Sequence, residues 1–406
     1  MKFKLFVVLL VNIPLLSYLF ESFLHGKDGQ ENLTFSFGIL LIIIYIFQTI
    51  MIMSLVWKKI YIKHLYVLFI FLLALAFIGI INSNSVFYTC IVFLKYISLV
   101  LFSLWLSCES INKIRIFIIY GYFGSFLGFA SFAVLHFYLS EGDFLFTLAQ
   151  IQLPAFLLLF LFTNTICTFE SRRKIFFYSA AILYILIICL GASRALDLEQ
   201  FRFQYLPIAL FMIINILLLP KNILAIVLVI LLGNLIFNTV DIVEILLYRL
   251  GSFEERLAIF HVMAIDSFYF LVPQGLGASD KLFDINSFTV YAGSERRLFP
   301  PHSGFASMLY DSSIFFFIFF AIFYINLYRR ISLDASKIVS TNYFGDSRIP
   351  FLLFFILIYF FENIFYLKYT IAGATFSDDS LYIYAAMIFF YFKNKLSIIY
   401  NPEIRQ

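Results

Sequence analysis

The residues of this sequence that could do chemistry gather in one polar stretch of an otherwise apolar chain. The stretch runs from Arg249 to Asp311 and holds five basic residues and two of the five histidines. Guanidinium groups bind phosphate and pyrophosphate through a planar fork and stay charged at any pH. A neutral imidazole can accept a proton near neutral pH. Together these residue types indicate a site that binds an anion and moves a proton.

Arg256 begins a segment with the pattern of an amphipathic helix. Ser252 and Glu255 have the spacing of a capping box, and Pro273 and Gly275 end the run. Apolar residues recur between them at helical spacing: Leu257, Phe260, Ala264 and Phe268. This pattern predicts a helix that lies on a membrane surface.

A positive side chain in the first turn of a helix interacts unfavourably with the helix dipole, so Arg256 slightly destabilises the predicted helix. A bound anion would make this position of Arg256 favourable, because the guanidinium and the free backbone N–H groups would face the same ligand. The alternative is that Arg256 pairs with Glu254 or with a lipid headgroup. Arg194, in GASRALDL, is a second outer arginine beside an apolar run. Three further arginines either support the same anion or only solvate the loop: Arg249, Arg296 and Arg297.

His302 lies in the sequence FPPHSGF, where two prolines stiffen the approach. A helix is predicted to begin at about Ser303 and to continue into the next apolar run. An imidazole at this position could act as a general base on a sugar hydroxyl. The alternative is a histidine that only caps the start of the helix.

The rest of the chain is hydrophobic enough to lie in lipid. Of its 406 residues, 63% are hydrophobic and 13% charged, whereas a soluble domain is about a quarter charged. Apolar runs of about 17 to 22 residues recur, each long enough to cross the hydrocarbon core as a helix. The sequence therefore predicts an all-α polytopic integral membrane protein, with residues 1–406 as a single transmembrane domain. The net charge of +4 is too small to indicate a nucleic-acid partner.

About twelve spans are predicted, with one long outer loop at 241–311 between the ninth and the tenth. The spans are Leu5–Phe20, Phe35–Trp57, Leu65–Ile81, Val86–Trp105, Ile116–Phe137, Phe146–Cys167, Ile175–Gly191, Phe203–Leu219, Ile223–Val240, Ser312–Tyr328, Pro350–Tyr369 and Leu381–Phe392.

The distribution of Lys and Arg gives the predicted orientation. Alternate connections hold eighteen and nine of the 28 basic residues, and Lys95 lies within the fourth span. By the positive-inside rule the richer side is cytoplasmic. Both termini are therefore expected in the cytoplasm, and the 241–311 loop is expected outside.

Four acidic or basic residues outside the loop have alternative interpretations. Lys95, in the fourth span, and Glu362, in the eleventh, could line a substrate path or pair with another helix, since ionisable groups at depth usually face a cavity or a partner. Asp378 and Asp379 could hold Mg²⁺ with donor phosphates, but we interpret them as a solvated turn. The four cysteines are not spaced for a metal or placed for a disulfide, and we interpret them as small buried hydrophobes. No cofactor is expected.

The order of several short motifs is similar to that of a known family. SRAL after the seventh span, ERLAIF, the FYFLVPQGLGASD turn and PPHSGFASMLYDSS resemble the O-antigen polymerase and ligase superfamily. That family shows an outer Arg, then an Arg followed by a P-x-G-x-G-like turn. It then shows a His at the start of a helix that ends in an acidic residue and Gly. The motif similarity covers roughly residues 193–313.

Two positions depart from the family pattern. Ser303 stands where the family often has Asn, and Ser312 or Ser313 stands where it often has Gly. Neither departure removes a reactive group.

The resemblance implies a metal-independent glycosyl transfer at the outer leaflet of a bacterial inner membrane. The donor would be an oligosaccharide on undecaprenyl pyrophosphate, and the acceptor a sugar hydroxyl. Arg194 and Arg256 match the pyrophosphate-binding arginines, and His302 matches the proposed base. The implied partners are the lipid-linked oligosaccharide, membrane lipid and a chain-length regulator protein.

Three functions remain open from the sequence. The 56 Phe and 26 Tyr resemble the composition of polymerases from AT-rich O-antigen clusters, which favours a polymerase over a ligase that transfers finished polymer to lipid A-core. A lipid-linked saccharide flippase would place several polar groups near the bilayer midplane. Charge there is sparse in this chain, which favours an enzyme.

Overall fold

The structure is a computed structural model that describes residues 2–25, 35–57, 66–82, 86–139, 271–278, 304–335, 353, 357 and 375–400. Within these residues the regular secondary structure is all helical, without strands. The helices are α1 (Lys2–His25), α2 (Phe35–Val56), α3 (Tyr66–Asn82), α4 (Val86–Cys108), α5 (Ile111–Leu139), α6 (Gly304–Ala335) and α7 (Thr375–Tyr400).

These helices coincide with apolar runs that the sequence predicts as spans. Helices α1 to α5 correspond to the first five predicted spans, and α6 and α7 to the tenth and twelfth. Helix α6 begins at Gly304, as expected for a helix that follows His302 and continues into the tenth span. The predicted sixth to ninth spans lie outside the described residues. In the eleventh, Leu353 and Leu357 are described, and both are helical.

Two stretches within the described residues are long and apolar enough to cross a membrane, Thr89–Cys108 of α4 and Leu309–Ile331 of α6. The first is mostly buried, whereas the second is mostly exposed. The exposed positions of α6 form a stripe at helical spacing: Ile314, Ile318, Ile322 and Ile325. Helix α3 has a similar stripe: Tyr66, Ile70, Leu73, Phe77 and Ile80. Apolar stripes of this length need lipid or a partner chain to cover them.

The chain forms two compact units, one of Met1–Ser125 with Glu255–Gln406 and one of Phe126–Glu254. In the second unit the structure describes residues 126–139, the end of α5. Helices α1 to α4, α6 and α7, with residues 111–125 of α5, belong to the first unit.

Contact pairs that advance together along two helices show that those helices are parallel. This holds for α2 with α4, α4 with α6, α4 with α7, and α1 with α5. The pairs are Tyr45–Ile91 and Thr49–Ser98, Tyr96–Phe316 and Ser103–Tyr324, Phe102–Tyr382 and Glu109–Lys393, and Phe3–Lys113 and Asn12–Gly124. Helices α6 and α7 therefore run in the same direction, as expected for the tenth and twelfth spans.

Basic groups close one end of the first unit around Glu109. Lys393 Nζ donates to the Glu109 backbone carbonyl at 2.5 Å, and Lys113 Nζ donates to Glu109 Oε1 at 2.9 Å. Lys113 also lies 5.0 Å from the centre of the Phe3 ring. The ends of α1, α4, α5 and α7 therefore meet here, and they carry basic residues that the charge distribution assigns to the cytoplasm.

Helix α6 is interrupted at Ser313, which has φ 58° and ψ −178°. This conformation is almost restricted to glycine and costs another residue about 1–3 kcal/mol. The family that the sequence motifs resemble often has glycine at the position of Ser312 or Ser313. Within the described residues, Ser313 is the non-glycine residue with positive φ. The backbone therefore favours glycine at position 313.

Ser313→Gly should raise the melting temperature of the detergent-solubilised protein. The gain is about 1 kcal/mol, after glycine's larger loss of entropy on folding is subtracted. Ser313→Val should lower the melting temperature, because a β-branched residue is disfavoured at positive φ. Ser312→Gly is the matched control and should not stabilise. Equal shifts for the two glycine variants in thermal unfolding would contradict this account.

Candidate functional site

Within the predicted outer loop, 241–311, the structure describes residues 271–278 and the start of α6, 304–311, and we call residues 273–278 the turn. It follows Leu271, a helical residue, at the point where the amphipathic run is predicted to end. The rest of that run, residues 252–270, lies outside the described residues. Leu271 is exposed, whereas Leu276 and Ala278 are buried. The chain therefore passes from the surface into the first unit within a few residues.

The turn's backbone is hydrogen-bonded at five consecutive N–H groups. The donors are Gln274 to Ala278, and their acceptors are, in order, the carbonyls of Tyr310, Asp311 and Leu75, the Asp311 carboxylate Oδ2, and the Gly275 carbonyl, at 3.3, 2.7, 3.0, 2.5 and 3.1 Å. A buried backbone N–H without a partner is costly. These bonds are therefore what allows irregular backbone to lie between packed helices.

Two side chains donate to the turn's carbonyl groups. Asn82 Nδ2, at the end of α3, donates to the Gln274 carbonyl at 3.0 Å. Thr89 Oγ1, in the first turn of α4, donates to the Leu276 carbonyl at 2.9 Å. Helices α3, α4 and α6 thus all hold the turn, which fixes its position relative to three elements.

The break at Ser313 explains how α6 supplies acceptors. In a continuous helix each carbonyl accepts the N–H four residues later. A non-helical residue at 313 interrupts that ladder, so carbonyls just before it become available to other donors. The carbonyls of Tyr310 and Asp311 accept N–H groups of the turn.

Two glycines allow the turn to approach α3 closely. A Cβ at Gly79 would lie 2.2 Å from the Leu276 carbonyl oxygen, and a Cβ at Gly275 would lie 2.2 Å from the Gly79 nitrogen. Gly275 also has φ 95°, a conformation that suits glycine. Both contacts are with backbone atoms, which cannot move aside as a flexible side chain can.

Lys95 lies between α4 and α2. Its side chain is buried, and its Nζ lies 5.0 Å from the centre of the Tyr45 ring. One turn further along the same interface, Thr49 Oγ1 and Ser98 Oγ are hydrogen-bonded at 2.8 Å. Of the two interpretations of Lys95, these contacts support pairing with another helix.

The reactive residues predicted from sequence lie outside the described residues. These are Arg194, Arg249, Arg256, Arg296, Arg297 and His302, and Glu362 is outside as well. Asp378 and Asp379 fall within α7, which begins at Thr375, so their backbone is helical where the sequence suggests a turn.

The sequence reasoning missed the residues that hold the turn. Asn82 and Thr89 are ordinary polar residues at the ends of apolar runs, and nothing in their spacing relates them to Gln274 or Leu276. Asp311 matches the acidic residue of the family pattern in which a His starts a helix, but that pattern does not indicate its partner. The partner, the Gly277 N–H, is 34 residues away in sequence. Every residue except proline has a backbone N–H, so residue type does not show which N–H groups will bind a distant acceptor.

Comparisons with known protein families, with characterised proteins and with solved structures find no match to this chain. The family resemblance therefore rests on the motifs in the sequence.

Gly79→Ala and Gly275→Ala should each destabilise the protein by about 1–3 kcal/mol, because the added methyl group meets backbone atoms. Gly121→Ala is the matched control, since its Cβ would meet the Ile383 side chain at 3.1 and 3.3 Å. Thermal unfolding in detergent would measure all three. A Gly79→Ala variant as stable as Gly121→Ala would contradict the packing described here.

Proposed function

We propose that this chain is an O-antigen polymerase, a glycosyltransferase that joins oligosaccharide repeat units carried on undecaprenyl pyrophosphate. The reaction would take place at the periplasmic face of the bacterial inner membrane. The proposal is carried by the ordered motifs from Arg194 to Asp311. The turn bound to Asp311 supports it, because the turn ends the segment that begins at Arg256 and Asp311 lies on the helix that follows His302.

A membrane location is supported by two features of the described helices. The exposed stripes of α3 and α6 are apolar along most of their length. The basic groups around Glu109 lie beyond the C-terminal end of α4, whereas the turn contacts Thr89 near its N-terminal end. Nineteen residues at 1.5 Å each separate Thr89 from Cys108, about 29 Å, which is close to the thickness of the hydrocarbon core.

The chemistry of the proposed residues suits transfer from a pyrophosphate. The acceptor hydroxyl attacks the anomeric carbon of the donor, and the bond from that carbon to the pyrophosphate oxygen breaks. His302 takes the hydroxyl proton as general base. Arg194 and Arg256 stabilise the negative charge that develops on the departing undecaprenyl pyrophosphate. Two guanidinium groups could do this without a metal ion.

A ligase would use the same kind of donor and differ in its acceptor, lipid A-core. A lipopolysaccharide gel from a strain that lacks this protein distinguishes the two functions. Loss of the ladder with core carrying a single repeat supports the polymerase. Bare core with polymer left on its lipid carrier indicates the ligase. An unchanged ladder would contradict both and would favour a flippase.

Arg256→Ala and His302→Ala should each abolish the ladder while the protein still inserts in the membrane. Arg256→Lys should also form little ladder, because lysine lacks the planar guanidinium that binds phosphate through two parallel hydrogen bonds. Complementation of the deletion strain, with membrane levels measured by immunoblot, tests this. Arg329→Ala is the matched control, since Arg329 is exposed near the other end of α6. A normal ladder from a stably inserted Arg256→Ala, His302→Ala double variant would disprove the site assignment.

A further inference from the structure

Two residues of α6, Tyr310 and Asp311, accept N–H groups of the turn, and Asp311 accepts two of them. Its side chain is fully buried, its Oδ2 accepts the Gly277 N–H, and its backbone carbonyl accepts the Gly275 N–H. One residue thus binds two N–H groups that lie two positions apart in the turn. Two bonds from one residue fix the orientation of the turn as well as its distance from α6.

The two segments joined here are those that carry the proposed reactive residues. Pro273, the first residue of the turn, lies 17 residues after Arg256, and Asp311 lies nine residues after His302. Residues 304–311 form two helical turns, about 10 Å at 1.5 Å per residue. The distance in sequence from each reactive residue to the joint is therefore short.

We propose that Asp311 is a positioning residue for the transfer reaction. Its carboxylate docks the end of the Arg256 segment on α6 and so sets the distance between the pyrophosphate site and the base. The reaction it serves is the proposed function above, on which this inference rests. The docking itself can be tested without that reaction.

In the proposed role the carboxylate acts through its hydrogen bond to the Gly277 N–H and not through contact with substrate. An amide oxygen in the same place can also accept the Gly277 N–H, so Asp311→Asn should keep the turn docked. Asp311→Leu has a similar volume but no acceptor and leaves that N–H buried and unpaired. A displacement of about 1 Å can lower turnover by about a hundredfold.

The first experiment measures docking by thiol protection. Ala278, buried at the end of the turn, is replaced by cysteine in a full-length protein whose four native cysteines are changed to alanine. In detergent, a maleimide should label the Ala278→Cys thiol at least tenfold faster with Asp311→Leu than with wild-type Asp311 or Asp311→Asn. Equal protection in all three would overturn the proposal.

The second experiment measures polymer formation from the lipid-linked repeat unit. Asp311→Leu should lower kcat by about tenfold to a hundredfold, with KM for the donor within about threefold, and Asp311→Asn should retain most of the activity. A loss in Asp311→Asn equal to that in Asp311→Leu would overturn a positioning role, because the charge itself would then be required. If Asp311→Leu does not fold, Asp311→Ser, whose hydroxyl is too short to reach Gly277, replaces it in both experiments.

Lys393→Met is the control for loss of stability alone. It removes a buried donor to the Glu109 carbonyl at the opposite end of α4 and should lower the melting temperature without exposing the thiol or lowering kcat of the folded protein. Loss of kcat in Lys393→Met equal to that in Asp311→Leu would overturn the proposal. Wild-type protein that forms no polymer would contradict the proposed function, and the labelling result would still decide whether Asp311 docks the turn.

Discussion

The described structure depends on how the buried backbone of the 273–278 turn satisfies its hydrogen bonds. Irregular backbone between apolar helices has no water to pair with, and each unpaired group costs several kcal/mol in such surroundings. The turn meets this constraint with groups from three helices: the Leu75 carbonyl of α3, the Thr89 hydroxyl of α4, and the carboxylate and carbonyl of Asp311 in α6. Helices α3, α4 and α6 must therefore all pack around the turn, and the hydrogen bonds of the turn connect these three helices.

Two local features that look unfavourable alone follow from this constraint. Ser313 adopts a conformation that suits glycine, yet the resulting break in α6 makes the carbonyls before it available to the turn. Gly79 lowers helix propensity in the last turn of α3, yet any side chain there would collide with the Leu276 carbonyl. In each case a small local cost is offset by bonds or packing that involve backbone distant in sequence.

The helices could be predicted from sequence more readily than the joints between them. Long apolar runs predict helices such as α2 and α4 closely, because length and hydropathy are properties of the run itself. The end of the amphipathic segment at Pro273 was predictable for a similar reason, since proline and glycine act locally. The pairing of Gly277 with Asp311, and of Asn82 with Gln274, was not predictable. Those bonds depend on backbone atoms and on which helices become neighbours, and neither is encoded at a recognisable spacing.

The nature of the joint also bears on the proposed function. A transporter alternates access largely by moving one helix bundle against another, whereas the proposed glycosyl transfer needs the leaving group and the base held at a constant separation. The turn is held by hydrogen bonds to three helices, and Gly79 and Gly275 bring its backbone close to that of α3. Lys95 is packed against Tyr45 within the α2–α4 interface. Both features suit a fixed frame of the kind that the proposed transfer reaction needs.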